Sequence, residues 1–262
     1  MTEAAPALPE GFRLCHYATL GSTNDEAKAL ARAGAPQGTL VWADEQTAGR
    51  GRRGRVWLSP PGNLYLSLVL RPDGAPARAA QLSFVAALGL GDALVALGLG
   101  DALAALGGPA MRLRYKWPND LLANDCKLAG ILLESETSAS DRVDFVVVGV
   151  GVNIVLAPDD VEFPATSLAA QGVATVTPAA LLAGFARHFE IWARRWRAEG
   201  FAPVRAAWLA RASGLGERVR VRLERNTLCG RFLDLDDDGA LVLEGVQGRR
   251  RIAAGEVFPA LG

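Results

Sequence analysis

The run Asp144-Phe145-Val146-Val147-Val148-Gly149-Val150 limits the fold more than any other feature of the chain. Its nearly unbroken apolar, β-branched residues leave neither face of an extended segment polar. Such a strand needs cover on both sides, so it predicts the centre of a sheet flanked by other layers. Residues 38–43, 63–70, 111–115 and 128–135 also read as strands. Helices punctuate them. Ser22-Thr23-Asn24 ahead of Asp25-Glu26, with Gly34 beyond, predicts a helix over residues 23–33. Thr177-Pro178 opens another through Arg197, with Phe185, Phe189, Trp192 and Trp196 as an apolar stripe for the core.

Between these lies an Ala/Leu-rich stretch, residues 77–106. It contains a nine-residue echo, residues 88–94 and again 97–103, too short and too few for a solenoid. Asp92, Asp101 and repeated glycines make it a poor membrane span and predict a buried helix of uncertain continuity. The extra material at residues 98–110 suggests no role.

After Gly214 the pattern changes to short strands at 218–223, 230–235, 240–243 and 249–253, separated by Asp236-Asp237-Asp238-Gly239 and Gly245-Val246-Gln247-Gly248. This spacing predicts a small β-barrel. The expected fold is α+β, with one domain over residues 12–213 and the barrel over 214–262.

Charge restricts function. Of 262 residues, 28 are Lys or Arg and 28 Asp or Glu, which disfavours a protein that coats nucleic acid. Cys15, Cys126 and Cys229 are odd in number and far apart, so neither a disulfide framework nor a metal spacing is expected. His16 and His188 are isolated and read as structural. The first ten residues lack the basic start and apolar core of a signal peptide. These features together predict a cytoplasmic protein outside the membrane.

Against that neutral background, Gly49-Arg50-Gly51-Arg52-Arg53-Gly54-Arg55 is a local device, four arginines and three glycines between two strands. Glycines bring backbone close to a ligand, and guanidinium groups bind phosphate oxygens. The loop suits closure over a polyphosphate or acyl phosphate; by itself it equally suits nonspecific RNA contact. Three further segments bear on the choice. They are Ser22-Thr23-Asn24, then Lys116-Trp117-Pro118-Asn119-Asp120 with Lys127-Leu128-Ala129-Gly130-Ile131, and Gly149-Val150-Gly151-Val152-Asn153. With Gln46 and Trp57-Leu58-Ser59-Pro60, and in this order, they resemble the biotin protein ligases, from about residue 16 to a C-terminal Gly255-Glu256-Val257-Phe258.

The resemblance implies a mixed sheet flanked by helices, as in class II aminoacyl-tRNA synthetases, with an SH3-like C-terminal barrel. It implies that biotin and ATP form biotinyl-5′-AMP, and that the biotinyl group then passes to a lysine of a biotin carboxyl carrier domain. Mg²⁺ is expected with the triphosphate. By the same resemblance Lys127, Arg52 and Asp120 are the catalytic candidates, with Asp120 accepting a hydrogen bond or a proton from the incoming lysine. Ser22, Thr23, Asn24, Gln46, Gly49, Arg50, Arg52, Lys127 and Gly130 fall to biotin. Arg52, Arg53, Arg55, Trp57, Lys116, Asn119, Lys127 and Asn153 fall to ATP and the adenylate.

Plainer readings stand beside these. Ser22 is a helix cap, a ligand contact or both; Trp57 is core or lies near the adenine; Gly130 admits a ligand or marks a bulge. Lys127 taken alone is an ordinary turn lysine, and Cys126 stands where the family often has a basic residue. The early start of the motifs leaves no room for the DNA-binding domain of many bacterial members, so sequence-specific DNA binding is not expected. A monomer and a homodimer fit equally. A lipoate or octanoate ligase or transferase is the enzyme alternative, and an RNA-binding module the other.

Overall fold

The computed structural model describes residues 6–72, 76–98, 111–137 and 142–260. A sheet is built from β1 (Arg13–Leu20), β2 (Thr39–Gln46), β3 (Leu64–Leu70), β4 (Leu113–Lys116), β5 (Asp120–Ala123), β6 (Cys126–Thr137) and β7 (Val143–Val152). Its spatial order is β1-β2-β3-β7-β6-β5-β4. Strands β1 and β2 run parallel, and the remaining neighbours pair antiparallel. The β-branched run is therefore central, between β3 and β6. Its alternation separates two layers. Phe145 and Val147 meet Ala27 and Ala31 of α1 (Thr23–Arg32), whereas Val146, Val148 and Val150 join the larger core.

That larger core is filled by α3 (Leu82–Ala96) and α4 (Pro178–Glu199), after the short α2 (Pro76–Ala80). Thr177 caps α4 by accepting the Ala180 N–H at 3.2 Å. Phe185, Phe189 and Trp196 of the stripe are buried, and the Trp192 indole N–H donates to Asp92 at 2.7 Å. Helix α3 is buried almost all round despite its glycines, because they are contact points. A Cβ at Gly89 would lie 2.8 Å from the backbone N and Cα of Phe189 on α4. Gly89→Ala is expected to cost about 1–3 kcal/mol, since backbone cannot move aside as a flexible side chain can. A denaturant midpoint unchanged from the parent protein would contradict this. Most of the second echo copy and of residues 98–110 lies outside the described residues.

The C-terminal strands β8 (Arg218–Arg222), β9 (Thr227–Leu235), β10 (Leu241–Gly245), β11 (Gly248–Ile252) and β12 (Glu256–Pro259) form an antiparallel sheet ordered β11-β10-β9-β8-β12, consistent with an SH3-like barrel. Its Phe232, Leu235 and Leu241 belong to the same continuous core as α3 and α4. Among the bonds that hold it, the Trp117 indole N–H donates to Gly239 O at 3.0 Å, and Gln81 Nε2 to Asp237 O at 3.0 Å. The barrel is thereby docked on the Trp-Pro turn that leads into β5. Strands β1 and β5 and helix α5 (Ala202–Leu209) had no expectation from the sequence; β5 and α5 are short, and β5 is wholly buried.

Candidate functional site

The α1-facing positions of β7 read Phe145, Val147, Gly149, Gly151, so the layer thins toward the strand's end. A Cβ at Gly149 would lie 2.2 Å from Asn24 Oδ1, and one at Gly151 would lie 2.6 Å from the Trp57 indole. Loss of these side chains opens a cavity of about 370 Å³, within the range of small-molecule sites.

Strand register assembles its charged end. Lys116 on β4 pairs with Asp120 on β5, Asp120 with Gly130 on β6, and Gly130 with Gly151 on β7. Directly paired residues share a face, so these four form one row. Lys127 precedes Gly130 by three positions and would normally face the other way. A register shift opposite Leu121 and Leu122 inserts one residue in β6 and turns Lys127 toward the same cavity. The bulge falls at Leu128, whereas Gly130 pairs regularly and its missing side chain admits the Trp57 ring, 3.1 Å from where a Cβ would lie.

Asp120, 7% exposed, lies between two ammonium groups, 2.7 Å from Lys127 Nζ and 3.1 Å from Lys116 Nζ. Burial pushes its pKa up, but Lys127 and Lys116 outweigh burial and hold the carboxyl below the usual range. Burial also lowers the pKa of Lys116, against the pull of Asp120. The Lys116 ammonium lies 4.4 Å from the Phe163 ring centroid and 5.4 Å from that of Phe258. Arg52 adds a third cation, with Nη1 donating to Asn119 Oδ1 and Gly255 O, each at 3.2 Å. Lys116, Lys127 and Arg52 thus gather around Asp120, while Asp160, Glu162 and Glu256 also stand on the lining.

The other end presents the uncharged polar groups of Ser22, Thr23, Asn24 and Gln46, with Arg50 beside them paired to Asp25. Gln46 Oε1 accepts the Thr23 N–H at 2.8 Å and the Thr23 hydroxyl at 3.0 Å, while Gln46 Nε2 donates to Ser59 Oγ at 2.9 Å. Ser67 Oγ lies 2.6 Å from Asn24 Oδ1, and Asn24 Nδ2 donates to Glu134 at 2.7 Å. Ser22 has N-cap backbone geometry, yet its hydroxyl makes no capping bond. Its side chain remains available at the cavity wall.

Ser22, Thr23, Asn24, Gln46, Arg50, Arg52, Arg55, Trp57, Lys116, Asn119, Asp120, Lys127, Gly130 and Asn153 all line this cavity. Gly49 and Arg53 do not. Gly49 has a packing role instead, since a Cβ there would lie 2.4 Å from Ser59 Oγ and 2.5 Å from Trp57 O. Arg53, at φ 58°, turns its side chain outward and is exposed. Two lining arginines are occupied by acids of the chain. Arg50 Nη2 donates to Asp25 at 2.7 Å, holding that carboxyl well below its ordinary range, and Arg55 contacts Glu256. Asn153 is buried, with its amide donating to Thr166 O at 3.1 Å. Trp57 covers the glycine floor formed by Gly130 and Gly151 rather than joining the core.

The sequence reading missed Pro158, Asp160, Val161, Glu162 and Phe163, and Phe258 from the barrel. The first five follow β7 as a proline-bounded acidic–apolar segment, a signal visible only once β7 is known to border the cavity. His16 stacks on Trp42 at 3.9 Å between centroids and bonds Asp44 at 2.8 Å, a structural role. Among the described residues no group of three or more His, Cys, Asp or Glu is arranged to hold a metal.

The family model for the biotin/lipoate A/B protein ligases matches residues 18–153, and that for the biotin protein ligase C-terminal domain matches residues 214–258. The chain belongs to the biotin/lipoate A/B protein ligase family. Within that family it falls among the biotin protein ligases. It is 48% identical to a biotin–[acetyl-CoA-carboxylase] ligase of Paracoccus denitrificans, over 90% of this chain and 96% of that one. It is 37% identical to the bifunctional ligase/repressor BirA of Bacillus subtilis, over 94% of this chain and 74% of that one. The biotin protein ligase of Aquifex aeolicus in complex with biotin and ATP superimposes with a TM-score of 0.75 at 26% identity, covering 94% of this chain and 97% of that one. That of Leishmania major with biotinyl-5-AMP gives 0.62 at 27%, covering 96% and 100%.

Proposed function

We propose that the chain is an ATP-dependent biotin protein ligase acting on a lysine of a biotin carboxyl carrier domain, with the ligase domain over residues 12–213 and the barrel over 214–262. One observation carries the assignment of roles: a single cavity joins a neutral hydrogen-bonding end at Ser22, Thr23 and Gln46 to a cationic end at Lys116, Lys127 and Arg52. The neutral end suits the ureido ring, the glycine floor and Trp57 suit the apolar tail, and the cations suit carboxylate beside phosphate. Mg²⁺ enters as part of the ATP complex; the chain has no acidic cage of its own among the described residues.

In the first step a biotin carboxylate oxygen bonds to the α-phosphorus of ATP, and the bond to the pyrophosphate oxygen breaks. Two anions must meet, so Lys127 and Arg52 offset their repulsion and stabilise charge gathering on the phosphorus oxygens. In the second, the neutral acceptor amine bonds to the carbonyl carbon, the bond from that carbon to the phosphate oxygen breaks, AMP leaves and the amine's proton passes to solvent. Asp120, held ionised by two ammonium groups, is a weak base. Its part is to accept a hydrogen bond from the incoming amine and to balance charge.

The arginine loop argues against RNA binding. Arg50, Arg52 and Arg55 are each paired with groups of this chain, and of the four only Arg53 extends away from the cavity without lining it. Biotin-dependent exchange of pyrophosphate into ATP by the purified protein is the expected result, with none supported by lipoate. Exchange with lipoate alone would move the substrate assignment to the rival enzyme class. No exchange with either, together with salt-sensitive RNA binding, would overturn the ligase reading.

A further inference from the structure

We propose that Glu256, in the barrel, is a positioning residue that keeps the arginine loop closed over the adenylate; this rests on the ligase reading above. Glu256 is only 6% exposed, although it carries a carboxylate. Two guanidinium groups compensate it. Arg222 Nη2 lies 2.6 Å away within the barrel, and Arg55 reaches it from the loop. A buried carboxylate that loses one partner is left poorly compensated, so any motion that withdraws Arg55 is resisted.

The loop's internal bonds carry that restraint to Arg52. Gly51 N–H donates to Arg55 O at 2.7 Å, and Arg55 N–H to Arg52 O at 3.3 Å, so Arg52 and Arg55 belong to one tight turn. The residue before Glu256 takes the other arginine: Gly255 O accepts from Arg52 Nη1 at 3.2 Å. Gly255 is closely packed immediately before β12, where Glu256 pairs with Arg222 of β8 and a Cβ at Gly255 would lie 3.0 Å from Val221 Cγ1. Two adjacent barrel residues thus hold the two ends of the turn.

The same hub reaches the opposite rim of the cavity. Arg222 Nη1 lies 2.7 Å from Glu162 Oε1, one residue before the Phe163 that packs on Lys116. Glu256 and Arg222 therefore tie both flanking segments to the barrel. A closed rim excludes water from the reactive anhydride and slows its escape. The barrel's contribution to the reaction is retention of the intermediate.

The test compares Glu256→Gln, Glu256→Asp, Arg55→Ala and the Glu256→Gln/Arg55→Ala double variant, with thermal midpoints measured alongside. Adenylate formed in place is expected to escape at least tenfold faster from either Glu256→Gln or Arg55→Ala, with KM for ATP rising more than kcat falls. The double variant should not exceed the larger single effect by more than twofold, and Glu256→Asp should recover part of the retention. Escape within twofold of the parent in both single variants, or single effects that multiply, would overturn the proposal. Arg55 is 55% exposed, so its variant decides the matter if Glu256→Gln fails to fold. A second readout needs no activity: trypsin cleavage after Arg53 in ligand-free protein should quicken at least fivefold in Glu256→Gln. An inactive parent enzyme with that proteolytic difference would reject the ligase reading alone; unchanged cleavage in an active, folded variant would reject the latch alone.

Discussion

Lys127→Ala is expected to lower biotin-dependent pyrophosphate exchange by about 10³-fold, equivalent to about 4 kcal/mol of transition-state stabilisation. The group removed is a cation placed before the reaction by a β-bulge and by Asp120, 2.7 Å away. Water cannot replace it, because water must reorient as charge develops on phosphorus. Lys116 remains but is buried against two aromatic rings and held to the other oxygen of Asp120. Lys127→Arg should recover only part of the rate, since a planar guanidinium does not occupy the position of a compact ammonium. Exchange within tenfold of the parent in Lys127→Ala would remove Lys127 from the first step.

Asp120→Asn carries the second large effect, on stability as well as on transfer. It leaves the ammonium groups of Lys116 and Lys127 adjacent without their shared anion, and Lys116 is only 7% exposed. Removing one partner of a buried charge cluster costs about 3–5 kcal/mol, to be read from urea unfolding at neutral pH. Transfer from preformed adenylate to a carrier domain should fall at least tenfold; unchanged transfer would end the proposed role in the second step.

The pH dependence has a definite sign. The folded carboxyl titrates below its ordinary value, so its stabilisation is fully present only once pH is well above about 4, the midpoint for the unfolded chain. It is lost as pH falls through the lowered folded value. The gap between parent and variant should therefore narrow in acid. Lys116 acts oppositely: its pKa is lowered by burial, so alkaline pH relieves the cost of its charge.

Much of this fold is legible because burial leaves a periodic record. The valines of β7 announce a doubly covered strand, and Thr177 with its proline sets the start of α4. Composition after Gly214 marks the barrel in the same way. What such patterns omit is which element supplies the cover. Strand β5 has four residues and no room for a period, yet it carries Asp120.

The site divides along the same line. Local sequence determined the candidates, since glycine, arginine and lysine at those spacings have few shared uses, and it determined that α1 begins beside Ser22. It could not decide what each side chain faces. Lys127 turns inward only because β6 gains one residue against β5, and Arg52 meets a carbonyl 203 positions away. Gly49 and Arg53 share the loop's composition, but one is consumed by packing and the other by a left-handed turn. Strand register and charge pairing at long sequence separation are fixed only when the chain closes on itself. Tertiary structure alone therefore gave Asp120 its two lysines and the arginine loop its partner in the barrel.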